Sequence, residues 1–119
     1  MILREKLFDY VLNPDHPVGR HKARVFLSVL GIERIHADVL AEVIKQGLAR
    51  SPAEKRKETQ SNELWTTYHQ IVGLNGKTAI LTVGWEIAQT EPLQPQLVSC
   101  YIDLKNQRKL EQLLRLGNT

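Results

Sequence analysis

The chain has 119 residues, 42% of them hydrophobic and 24% charged, which is the size and balance of one globular domain and leaves no room for two. Sixteen Lys and Arg against thirteen Asp and Glu give a net charge of +3, a mildly basic balance compatible with a nucleic-acid partner without demanding one. Cys100 is the only cysteine, which excludes an internal disulfide and a Cys-based zinc site. No stretch approaches the roughly 20 apolar residues that span a bilayer. The opening Met1-Ile2-Leu3-Arg4-Glu5-Lys6 brings charges in too early for a signal peptide. A cytoplasmic location with no membrane partner is therefore expected.

A short helix is expected over residues 3–11, with Leu3, Leu7, Phe8 and Val11 on one stripe. Asn13-Pro14-Asp15-His16-Pro17 breaks it, because two prolines and an Asx residue favour an extended turn. Gly19 leads into a second helix whose inward stripe is Ala23, Phe26, Leu27 and Leu30, with Gly31 placed to cap its end. A third helix is expected over 37–48, with Val39, Leu40, Val43, Ile44 and Leu48 inward. The polar segment from Ser51 to Asn62 reads as an exposed loop.

Three strands are expected next. Leu64–Leu74 is rich in β-branched and aromatic residues, and Asn75-Gly76 is a strong hairpin signal. Lys77–Ile87 alternates, with Ala79, Leu81, Val83, Trp85 and Ile87 on one face. A proline-containing loop over 90–95 leads to a strand over 96–103, and a helix over 105–116 closes the chain. The expected class is α+β: N-terminal helices packed on one face of a small antiparallel sheet, with a C-terminal helix. All of residues 1–119 belong to that one domain.

Arg20, His21, Lys22 and Arg24 fall together at the start of the second helix without an acid among them. Unpaired N–H groups and a partial positive charge at a helix start attract phosphate, and cations there oppose the helix dipole. His21 can act as acid or base near neutral pH, and Lys22 or Arg24 can stabilise charge developing on a phosphate. The same run also reads as an ordinary solvated surface. His16 reads as a turn residue, His36 as a cap neighbour or surface residue, and Cys100 as a small buried apolar residue. His69 suits either sheet packing or a site. Trp65 and Trp85 read as core anchors, although an exposed tryptophan could stack a base. No Gly-rich phosphate loop, dinucleotide fingerprint, metal-binding histidine pair or serine elbow is present, so neither metal nor cofactor is expected.

The run from Asp9 to Phe26, containing Asn13-Pro14-Asp15-His16 and Gly19-Arg20-His21-Lys22-Ala23, followed by Leu30-Gly31, resembles a family of uncharacterised bacterial domains. Thr82-Val83-Gly84-Trp85 and Leu97-Val98-Ser99-Cys100-Tyr101-Ile102 extend the resemblance through residue 102. That family is in turn similar to bacterial toxin nucleases of the barnase, EndoU, colicin and RelE-like class. The resemblance implies metal-independent RNA cleavage, with His21 and Lys22 catalytic. It further implies that Arg20, Arg24, Thr82 and Ser99 bind phosphate, and that a neutralising protein is a partner beside RNA. The competing expectation is a non-catalytic protein-binding or anion-binding module, such as one half of a toxin–antitoxin-like pair. An exposed strand edge would also allow a homodimer. The two readings differ in one geometric respect. Catalysis requires His21 and the other cations to converge on one cleft, whereas a binding module leaves His21 facing solvent.

Overall fold

The computed structural model describes residues 3–48, 50, 53–88 and 95–104. Helix α1 (Leu3–Lys6) continues into a π-helical turn (Leu7–Val11), and helices α2 (Arg20–Leu30) and α3 (Ala37–Leu48) follow. Four strands come next: β1 (Ala53–Glu58), β2 (Asn62–Val72), β3 (Thr78–Ala88) and β4 (Pro95–Ile102). They form one antiparallel sheet in sequence order. The expected α+β class and antiparallel sheet are present. The expected loop over 90–95 and helix over 105–116 fall mostly or wholly outside the described residues.

The helices share one face of the sheet. Leu7, Val11, Phe26, Leu30, Leu40 and Ile44 from the helical half meet Ile71, Leu81, Val83, Cys100 and Ile102 from the strands in one buried cluster. The β3 alternation explains this, because residues two apart in a strand share a face. Ala79, Leu81, Val83 and Trp85 are all buried; of the residues between them Ile80 and Gly84 are not, whereas Thr82 is buried on the other face.

Three expectations need correction. Leu27 is 51% exposed, and Val39 and Val43 are also exposed, so the buried stripes are rotated from those expected. In α3 the inward residues are Ala37, Leu40, Ala41 and Ile44. Small alanines let that helix lie close to its neighbours, and hydropathy alone ranks valine above them. The segment expected as a loop contains β1, whose six residues are all exposed. Its strand character comes from backbone pairing with β2 at the sheet edge, which leaves no pattern of buried side chains. The hairpin at Asn75-Gly76 is present, but its loop runs from Gly73 to Lys77, closed by the Gly73 N–H on the Lys77 carbonyl at 2.7 Å. Of the two residues only Gly76 has positive φ, so the turn is not the two-residue type that Asn-Gly favours.

Helix α2 is pinned at both ends. Gly31 adopts φ 67°, and the N–H groups of Gly31 and Ile32 return to the carbonyls of Leu27 and Phe26. The Asn75 side chain donates to the Val29 carbonyl at 3.0 Å, which ties the hairpin loop to the helix end. That contact is close because Gly73 lies against Leu30: a Cβ at Gly73 would fall 2.4 Å from the Leu30 carbonyl oxygen.

His69 sits on the core face of β2, 4% exposed, with its Nε2 2.8 Å from the Thr67 hydroxyl. Its burial in the sheet fits the first of its two sequence readings, sheet packing. Burial lowers its pKa below the usual 6.5, because desolvation disfavours the imidazolium. The unfolded chain then binds a proton that the folded chain resists. The resulting stability is fully present above the unfolded value and is lost as pH falls below it. Urea midpoints measured at about pH 7.5 and about pH 5.5 are expected to drop for the wild type, and to drop less for His69→Gln. Equal drops would show that His69 does not carry the dependence.

Candidate functional site

The turn between Asn13 and Gly19 is held by His16 just before α2 begins. His16 Nδ1 accepts the backbone N–H groups of Val18 at 3.0 Å and Gly19 at 2.9 Å. Accepting both leaves Nδ1 without a proton, so neutral His16 carries it on Nε2. The imidazole packs edge-on to Tyr10, with centroids 4.8 Å apart. Gly19 lies against the Tyr10 backbone, where a Cβ would come within 1.9 Å of the carbonyl oxygen. Glycine at 19 therefore serves close approach, and its φ of −65° is open to any residue.

Helical spacing then sends the four basic residues in three directions. Arg20, Arg24 and Leu27 occupy one flank at i, i+4 and i+7. They line a groove of about 490 Å³ against the Ile32–Ile35 turn. Buried Leu12, Ala23 and Ile32 line it, as do exposed Leu27 and Ile35. Arg34 reaches the groove from the turn. Its Nε donates to the Phe8 carbonyl at 2.9 Å, its guanidinium lies 4.0 Å from the Phe8 ring centroid, and Asp9 is 3.8 Å away. Among the described residues Glu33 is the one acid in the lining, and its side chain is engaged in a capping box with His36. Neither the Arg20 nor the Arg24 side chain enters a hydrogen bond or ion pair among the described residues.

Lys22 occupies the opposite flank, half-buried. Its Nζ donates to Tyr10 Oη at 2.7 Å and to Ser99 Oγ at 3.0 Å, and it lies 4.8 Å from the Tyr10 ring centroid. His21 faces outward between the flanks, exposed, with no hydrogen-bond partner among the described residues. Thr82 is on the sheet face away from the helices, in register between Tyr68 on β2 and Tyr101 on β4. It is 5% exposed, and among the described residues its hydroxyl is the one buried side-chain polar atom without a partner.

The six residues singled out in the sequence thus separate. Arg20 and Arg24 share the groove, Lys22 and Ser99 share a hydrogen bond, and His21 and Thr82 stand apart from both pairs. Sequence reasoning overlooked Tyr10, the hub of the Lys22 cluster, and Arg34, the third cation of the groove. The spacing of Tyr10 to Lys22 carries no signal, because an irregular turn separates them. Cys100 is buried, and desolvation pushes its thiol far above the ordinary range, with the nearby Lys22 charge opposing that in part. Among the described residues no three His, Cys, Asp or Glu side chains form a metal-binding group.

The family model described as Domain of unknown function (DUF6883) matches residues 1–104. The chain belongs to that family. Neither the curated proteins nor the solved structures give a match. No described helix is long and apolar enough to cross a membrane.

Two substitutions check this geometry. Gly19→Ala drives a methyl group into the Tyr10 carbonyl and is expected to cost about 3 kcal/mol in urea unfolding, the upper end for overpacking. Thr82→Val removes the unpartnered hydroxyl while keeping the shape, and is expected to raise stability by about 1 kcal/mol in the same assay. A loss in Thr82→Val would mean that the hydroxyl has a partner in solution.

Proposed function

We propose that this DUF6883 domain is a non-catalytic binding module, which takes an acidic, partly apolar segment of a partner protein in the groove beside α2. The carrying observation is the pairing of an apolar lining with the guanidinium groups of Arg20 and Arg24, which have no partner among the described residues. Guanidinium groups accept carboxylates in a two-pronged geometry, and arginine tolerates an interface better than lysine because it is more weakly hydrated. Arg34 adds a third donor, held against Phe8 and so ordered before any partner arrives. The groove volume of about 490 Å³ falls in the range of ligand sites and suits one or two side chains. Leu27 and Ile35, 51% and 79% exposed, extend the apolar surface at this groove.

The resemblance to toxin nucleases favours RNA cleavage instead. That chemistry needs a proton-transfer group and a phosphate clamp around one phosphate. The exposed His21 side chain has no orienting partner among the described residues, and Lys22 lies across the helix from Arg20 and Arg24. This separation is why binding is the reading preferred here. Arginine clusters also attract RNA backbones without regard to sequence, so RNA belongs in the test.

The experiment is a fluorescence anisotropy titration with a labelled peptide of alternating acidic and leucine residues, alongside its lysine-for-acid counterpart. The acidic peptide is expected to bind and the basic one not. Arg24→Glu should weaken binding about tenfold or more, whereas His21→Ala leaves it unchanged. A mixed RNA pool incubated in chelator is expected to stay intact. Cleavage that vanishes in His21→Ala would replace this reading with the ribonuclease one.

A further inference from the structure

We infer that Lys22, Tyr10 and Ser99 form a second site, separate from the groove, that binds a phosphate group. An ammonium has three N–H donors and no acceptor. Lys22 gives two of them to the Tyr10 and Ser99 hydroxyl oxygens. Each hydroxyl that accepts from lysine keeps its own proton for another acceptor. Among the described residues neither hydroxyl has one. Three unused donors therefore meet at one place: the third N–H of Lys22 and the two O–H groups. Both hydroxyl oxygens lie within 3.0 Å of the same nitrogen, so the three are close enough to serve a single anion.

Charge points the same way. Lys22 enters no ion pair among the described residues, although it is half-buried. Lys6 is also without an ion pair there, and its Nζ lies 5.6 Å from the centroid of the same Tyr10 ring. Among the described residues these two cations pair with no carboxylate. A half-buried cation without a counter-charge is costly, and a bound anion removes that cost. Three donors beside two positive charges match a phosphate dianion, with its three strong acceptor oxygens. A carboxylate has only two oxygens and one charge.

A purely structural alternative exists, since the Lys22–Ser99 contact also ties α2 to β4. That role predicts no anion response, so the test reads anion binding directly. Inorganic phosphate is titrated into isotopically labelled full-length protein at about pH 7.5, where phosphate is mostly dianionic, and sodium chloride holds the ionic strength constant. Saturable amide shifts are expected around Ser99, Cys100 and Lys22. Tyr10→Phe and Ser99→Ala each delete only a hydroxyl, and each should weaken binding about tenfold. Lys22→Met keeps the aliphatic stem and should abolish it, with thermal melting confirming that each variant is folded. A parallel titration with O-phosphoethanolamine distinguishes the source: equal or tighter binding marks an esterified phosphate, and exclusion marks the free ion. Arg24→Glu impairs the groove and should leave the phosphate shifts unchanged, so failure of either site is seen independently. Shifts that follow chloride as well as phosphate, or folded variants that all bind like the wild type, would overturn the assignment.

Discussion

The contact between Gly19 and the Tyr10 carbonyl is the constraint on which the arrangement around α2 depends. It brings the end of the first helical segment against the beginning of α2, at a distance that only a missing side chain allows. His16 completes the junction by accepting the Val18 and Gly19 N–H groups in the turn just before the helix. At the far end of the helix, Gly73 makes an equivalent close approach to Leu30. With both ends held, α2 has little freedom to rotate about its axis. Each of its side chains is committed to one direction.

That commitment divides the basic run. Consecutive residues on a helix are about 100° apart, so four basic residues within five positions cannot face one substrate unless they are spaced three or four apart. Arg20 and Arg24 satisfy that spacing and share the groove. Lys22 does not, and its long stem carries the charge to the edge strand instead, where it meets Ser99, 77 residues away in sequence. Clustering in sequence therefore exaggerates clustering in space. The alternating directions also spread the positive charge, which eases the unfavourable interaction of cations with the helix start.

What could be read from the sequence follows the same physics. Helices, core strands and the hairpin were legible because burial imposes a period of 3.6 or 2 on hydropathy. The α2 C-cap at Gly31 was legible because a left-handed residue there favours glycine. Strand β1 was not, since an all-exposed edge strand carries no alternation. The rotated stripe of α3 was missed because Ala37 and Ala41 pack by being small. Arg20 and Arg24 were found by their charge and Ser99 by its place in a motif. Arg34 and Tyr10 were missed because their roles depend on the packing of the α1 segment against distant turns.

Tyr10 links these levels. Its carbonyl meets Gly19, its ring packs on His16 and lies near Lys6 and Lys22, and its hydroxyl receives the Lys22 proton donor. The residue that fixes where α2 begins is therefore also part of the cluster on its Lys22 flank. Arg20 and Arg24, on the other flank, are oriented by that same first turn. Two sites that share an anchoring turn are coupled through it whenever a ligand alters the position of the turn, and the coupling acts equally in both directions. The tight packing at Gly19 limits such movement. If the groove and the Lys22 cluster bind as proposed, the two surfaces are displayed together and operate largely apart, a partner segment on one flank and an anion on the other.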